Sequence, residues 1–232
     1  MLRPPGKDDP LQQGDIIGDV PFLLLPRVVN LKGDTGQGQV RLDSQDAGIA
    51  ASLEKVKSAK TIQATVPVVF RTGLVITQTC DIEHKSQITL AHVLPLDAMV
   101  QEVKEAAAHD EPLVLYDIIR SLTEGLQYTH LVYLGAPGGT QRLVADLLQV
   151  QSFERPWKEY FKRQRLAALS DEGLKYLQGR LNLFTGRYAT EAGFWRMPDD
   201  QELADRIEKD PSAVEAAYER LRKKTEASGR PG

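Results

Sequence analysis

The sequence predicts an α+β chain: a small, mostly antiparallel β-barrel with helical insertions, followed by a helical C-terminal region. Three observations point there. Runs rich in Val, Ile and Thr recur through the first two thirds of the chain, Gly, Pro and charged clusters separate them, and period 3.6 takes over after Ser152. The 232 residues suffice to bury a core, with a barrel-like domain expected over 12–150, a helical region over 151–227 and flexible tails at 1–11 and 228–232.

Taken in order, Gly14 to Val29 reads as a bent strand in which Pro21 and Pro26 fit only edge or bulge positions. Gly33 to Gly38 is Gly-rich but lacks the dinucleotide spacing and the Lys-Ser/Thr ending of a phosphate loop, so it reads as a hairpin tip. Ser44 opens an expected helix to Ala59 whose Ile49, Leu53 and Val56 form one apolar stripe. Thr61–Phe70, Gly73–Thr79 and Gln87–Leu94 read as central strands. Two helices are expected next, over Asp97–Ala108 with Asp97 as N-cap and over Pro112–Thr123 with Pro at its start. Gln127–Leu134 and Gln141–Gln149 then read as strands joined across Gly135–Gly139. Beyond Ser152, one helix carries Trp157, Tyr160, Phe161 and Arg165, and another, opened by Ser170, carries Leu174, Leu177, Leu181 and Phe184. A capping box at Ser212–Glu215 starts the last, to about Ala227.

Composition excludes several classes. Lys and Arg number 29 against 32 Asp and Glu, a net charge of −3 that gives no whole-chain drive toward nucleic acid or an anionic membrane. A single cysteine excludes an intrachain disulfide and a multi-thiolate zinc site. No apolar run approaches the ~20 residues that span a bilayer, and Asp8-Asp9 stands where a signal peptide would need an apolar core. A soluble, cytoplasmic protein with no membrane partner, no cofactor and no metal is expected.

The densest polar segment is Thr77-Gln78-Thr79-Cys80-Asp81-Ile82-Glu83-His84, at the end of an expected buried strand, where a rigid scaffold often positions functional loop residues. Cys80, Asp81, Glu83 and His84 are its candidate binding residues. A thiolate, a carboxylate and an imidazole this close could serve one metal or one nucleophile. A metal would need further ligands from His92, His109 or His130, and a nucleophile would need a base and oxyanion donors that the sequence does not display. The reading without chemistry makes Cys80 a small buried hydrophobe, Asp81 a ligand of turn amides and His84 solvated, and it outweighs catalysis. Arg71, at the entry of a strand, would bind phosphate or, as the stronger reading, pair with Asp15 or Asp81. Arg71, Asp81 and His84 are thus the catalytic candidates.

From Phe153 to Arg196, nine basic residues stand against five acidic ones, a net of +4, with Trp157, Tyr160, Phe161, Tyr176, Phe184 and Tyr188 interleaved. Such a face would suit single-stranded nucleic acid, with Lys162, Arg163 and Arg165 as binding candidates. The helical spacing of the aromatics favours a packed hairpin with basic edges.

Gly14-Asp15-Ile16 and Gly73-Leu74-Val75-Ile76-Thr77-Gln78-Thr79-Cys80-Asp81-Ile82-Glu83, with the strand to Pro95, resemble an uncharacterised bacterial family that shares a Gly-Asp-Ile start and a Gln-x-Cys-Asp-Ile/Leu-Glu segment. The likeness continues through Tyr128 to Asp146 and Arg165 to Arg187. More distantly, the β elements resemble the SH3-like barrel of PemK/MazF-type toxins, which cut RNA. Of that pattern only Arg71 matches at a catalytically interesting place: Arg71-Thr72 replaces Arg-Pro, Pro95-Leu96-Asp97 replaces Pro-Ile-Thr, and about fifty residues separate Asp15 from the central strands. The resemblance implies a cytoplasmic bacterial binding or regulatory module of a toxin–antitoxin, mobile-element or phage-defence system, with a protein partner. A PemK/MazF-like endoribonuclease using Arg71 with Asp81 or His84, and a nucleic-acid binder acting through Phe153–Arg196, are the alternatives.

Overall fold

The computed structural model describes residues 2–6, 9–23, 28–33, 36–41, 62–124, 128–136, 141–185 and 201–228. They divide between two compact units, one of Met1–Gly18 with Thr72–Gly232 and one of Asp19–Arg71. In the smaller unit β3 (Val28–Gly33), β4 (Gly36–Arg41) and β5 (Ile62–Thr65) form an antiparallel sheet of order β4-β3-β5. The pairing of β3 with β4 runs to Gly33↔Gly36, which makes the Gly-rich stretch a hairpin as expected. The helix expected over 44–59 lies outside the described residues.

The larger unit is built on a seven-stranded, nearly closed antiparallel sheet, and the α+β barrel-like class is the one the sequence predicts. Its strands are β1 (Leu2–Arg3), β2 (Asp15–Leu23), β6 (Val68–Val75), β7 (Gln87–Pro95), β8 (Leu131–Gly135), β9 (Leu143–Glu154) and β10 (Arg165–Leu169), ordered β1-β10-β2-β6-β7-β9-β8. Only 15–18 of β2 and 72–75 of β6 belong to this unit. Eight α-helices and a short 3-10 turn at Arg155–Trp157 accompany the strands among the described residues: α1 (Thr79–His84), α2 (Leu96–Met99), α3 (Gln101–His109), α4 (Pro112–Glu124), α5 (Lys158–Arg163), α6 (Asp171–Phe184), α7 (Gln201–Lys209) and α8 (Ser212–Ala227). None of them is long and apolar enough to cross a membrane.

Strand alternation divides the apolar residues between two cores. On β8, Leu131 and Tyr133 join Val144 of β9 against Leu113, Ile118 and Leu122 of α4 and Leu221 of α8. The intervening Val132 and Leu134 join Ala145, Ala91, Leu74 and Ile16, with Tyr176 and Leu177 of α6 closing that second core. Each fully buried aliphatic side chain stabilises the fold by about 1.5–3 kcal/mol.

A barrel that does not close leaves an outer strand with unpaired backbone groups. At β8, side chains of α6 supply partners. Tyr133 N donates to Tyr176 Oη at 3.3 Å, and that hydroxyl donates to the Leu122 carbonyl at 3.4 Å. Burial raises the Tyr176 hydroxyl above its ordinary pKa, so it remains a protonated donor. The fully buried Arg180 donates to the carbonyls of Tyr128 at 2.6 Å and Leu131 at 3.2 Å.

Several elements depart from their expected bounds. The break expected after Phe70 falls earlier, at Pro67, so β6 runs unbroken through Arg71. The helix expected over 97–108 is split at the extended Val100, and Asp97 lies in a first turn without capping it. Strand β9 continues to Glu154, and the helix expected from Trp157 through Arg165 stops at Arg163 because Arg165–Leu169 return to the sheet between β1 and β2. Ser170 caps α6 as expected, its Oγ accepting from Gly173 N at 3.2 Å. At α8 the expected capping box does not form: Asp210 Oδ1 accepts from Ser212 N at 3.1 Å instead.

Candidate functional site

The segment expected to be a loop at the end of a strand is a helical turn, α1, whose Ile82 is buried in full. Anchoring by Ile82 turns its neighbours to the surface. Cys80, expected to be a buried hydrophobe, is exposed. Asp81 faces Lys85 at 2.6 Å, one helical turn away, rather than turn amides. Glu83 and His84 are exposed, as expected for His84. Ahead of the helix, Thr77 Oγ1 accepts from Thr89 N at 2.7 Å, which ties the segment to β7.

A cleft of about 460 Å³ lies beside this turn. Gln78, Thr79 and Cys80 line one part of it. Leu174, Gln178, Leu181 and Asn182 of α6, spaced along one helical face, line another, and Gln13 contributes from the N-terminal segment. Gln13 is 5% exposed and organises the site. Its Nε2 donates to the Ile76 carbonyl at 2.9 Å, its backbone N donates to Thr79 Oγ1 at 3.2 Å, and its Oε1 accepts from Gln178 Nε2 at 3.4 Å. One carboxamide thus joins the N-terminal segment, the lead into α1 and α6. The volume falls in the range of small-molecule sites, roughly 300–1,000 Å³.

Among the described residues no carboxylate, lysine, arginine or histidine lines the cleft; of the four candidates Cys80, Asp81, Glu83 and His84, only Cys80 faces it. Among the described residues no three of His, Cys, Asp or Glu are grouped as a metal would require. His92 Nδ1 lies 3.1 Å from Gln149 Oε1, and the carbonyl of His109 accepts from Lys224 Nζ at 3.1 Å. Arg71 is exposed in the smaller unit, while both carboxylates suggested for it have other cations: Lys85 for Asp81 and Arg165 for Asp15.

The Arg165–Asp15 pair explains the Gly-Asp-Ile start physically. Gly14 sits at φ +88° with the Leu169 side chain 3.2 Å from where a Cβ would stand, so only glycine fits without strain. Asp15 is buried in full, its Oδ2 accepting from Gln12 N at 2.9 Å and from Arg165 Nη1 at 3.1 Å. Ile16 packs in the sheet core. Burial raises the Asp15 carboxyl above its ordinary pKa, against the lowering pull of the Gln12 N–H, Arg165 and Arg3. The same guanidinium donates to the carbonyls of Gly6, Asp9 and Pro10, strapping the N-terminal segment down.

Arg165 therefore does not share a basic face with its neighbours, since its side chain is 3% exposed, whereas Arg163 is exposed and Lys162 half-buried on α5. The aromatic residues beside them pack on one another: Phe153 meets Phe161 at 5.0 Å and Trp157 meets Tyr160 at 5.5 Å between ring centroids. Arg187, Tyr188 and Arg196 lie outside the described residues.

A second, larger cleft of about 590 Å³ runs between α3 and α8, with Glu102, Glu105, Glu215, Glu219 and Glu226 along it. Four of these five acids are exposed, Glu105 accepts from Gln101, and Glu219 lies 3.9 Å from Lys223. That is the pattern of solvated helix faces. Compared with family models and with curated proteins, the chain matches none.

The sequence signals Cys80 but not its setting. Gln13, Gln178 and Asn182 carry no motif, and only the packing of α6 beside the lead into α1 brings them to one place.

Proposed function

We propose that the chain is a cytoplasmic binding and regulatory module that receives its ligand in the cleft between α1 and α6. One observation carries this reading: hydrogen-bonding side chains from three separate segments converge on that cleft, with Gln13 fixing their arrangement from within. Of the acid–base and cationic groups that an endoribonuclease would use, Arg71, Asp81 and His84, none lines it. The partner that responds to the module is a protein, because Arg165 and Arg180 are committed to buried contacts and the Phe153–Phe161 aromatics to each other. A bacterial toxin–antitoxin, mobile-element or phage-defence system is the setting that the sequence resemblance supports.

Substitution of Cys80 by Trp, an exposed position, fills the cleft without entering the core. Purification from the host with native and Cys80→Trp chains tests the reading: a ligand or partner recovered with the native chain and lost with the variant supports it. Equal recovery with both contradicts it.

A further inference from the structure

The chemistry of the cleft narrows what it can take, and this step rests on the cleft being the binding site. Carboxamides dominate its polar lining. Asn182 is half-buried on α6, and its carboxamide makes no hydrogen bond with any described residue. Among the described residues the Gln78 side chain has only a long contact, its Oε1 accepting from Cys80 Sγ at 3.9 Å. Each of these carboxamides offers a donor and an acceptor side by side, whichever way the group is turned. Leu174 and Leu181, one on each side of Gln178 along α6, add an apolar surface.

A ligand bearing a net charge would lose hydration here without meeting an opposite charge among the described residues, none of which brings an ionised side chain to the cleft. An uncharged ligand with adjacent donors and acceptors on a planar, partly apolar body loses little and gains paired hydrogen bonds. Nucleobases have that form, and carboxamides read their edges two bonds at a time. A free phosphate or carboxylate does not fit.

We infer that the cleft binds an uncharged nucleobase, with Gln78 and Asn182 reading its edge and Leu174 and Leu181 contacting its face. Cys80, exposed in the same cleft, reports occupancy through its rate of reaction with a thiol-specific reagent.

The test is that labelling rate in the full chain, measured with adenosine, cytidine, guanosine or uridine, with the corresponding 5′-monophosphates, and with inorganic phosphate. At least one nucleoside is expected to slow labelling, with a Kd of about 0.1–5 mM, equally at low and high salt and no more weakly than its monophosphate. Asn182→Leu is expected to weaken that protection at least about tenfold. Its melting temperature should stay unchanged, as the Asn182 side chain has no hydrogen bond to a described residue to lose, and Gln78→Leu provides a second, exposed position with the same expectation. Protection by monophosphates or phosphate but not by nucleosides, steeply lost with salt, would overturn the ligand class while leaving the cleft as a binding site. Failure of every nucleoside to slow labelling at about 10 mM, or protection that survives both substitutions, overturns the inference too. The binding-module reading then still stands or falls on the Cys80→Trp comparison.

Discussion

Tyr176 and Tyr133 meet at the outer edge of β8, where the backbone N–H of Tyr133 donates to the hydroxyl of Tyr176 and, among the described residues, no further strand follows in the sheet. The same helix thus closes an exposed edge with Tyr176 and Arg180 and lines the cleft with Leu174, Gln178, Leu181 and Asn182. One helix, α6, serves both the sheet edge and the wall of the cleft.

Loss of the Tyr176 hydroxyl leaves both Tyr133 N–H and the Leu122 carbonyl without that partner. Tyr176→Phe is expected to destabilise the fold by about 1–2 kcal/mol, read as a lower denaturant midpoint with unchanged slope. Hydrogen exchange at Tyr133 should quicken. An unaltered midpoint would remove the edge-capping role.

Arg165 holds a buried carboxylate and three carbonyls at once. Arg165→Leu strands Asp15 without its cation, at a cost of about 3–5 kcal/mol. The variant should melt well below the wild type and lose protease resistance first in residues 2–13. A stability within 1 kcal/mol or so of the wild type would contradict this.

The raised carboxyl of Asp15 has a pH signature. Because the folded chain binds this proton more tightly than the unfolded one, the stability it contributes is fully present below the unfolded value of 3.8 and is lost as pH rises through the raised folded value. The stability difference between wild type and Asp15→Asn, from denaturant titrations at a series of pH values, is therefore expected to shift against the wild type on going from acid toward neutrality. A difference that moves the other way would refute the direction of the shift.

Helix α8 is fastened to the α3–α4 turn by Lys224, whose Nζ donates to Glu111 Oε1 at 2.5 Å and to the His109 carbonyl. Lys224 is half exposed, so Lys224→Met should cost only about 0.5–1 kcal/mol. The companion change Glu111→Ala, at a carboxylate 8% exposed, should cost more. Thermal melts of the two variants check the order.

Much of the barrel was legible because its strands carry local signals: Val, Ile and Thr runs punctuated by Gly and Pro, with a Ser N-cap that places α6. Strand β10 was not. Leu166, Ala167, Ala168 and Leu169 suit a helix as well as a strand, and their state is decided by pairing with β1 and β2, more than 140 residues away in sequence. The fate of Arg165 followed from the same distant pairing, since its partners Gly6, Asp9, Pro10 and Asp15 lie at the other end of the chain. The polar segment around Cys80 drew notice through residue type, but which of its side chains share a space depends on α6, which no local pattern connects to it.

The measurement that bears most directly on the cleft is a titration of isotope-labelled protein with neutral nucleosides, followed through its backbone amide resonances. The expected shifts concentrate at Gln13, at Gln78 to Cys80 and along Leu174 to Asn182. Shifts centred elsewhere, or none at saturating nucleoside, would contradict the assignment of this cleft as the binding site for an uncharged base.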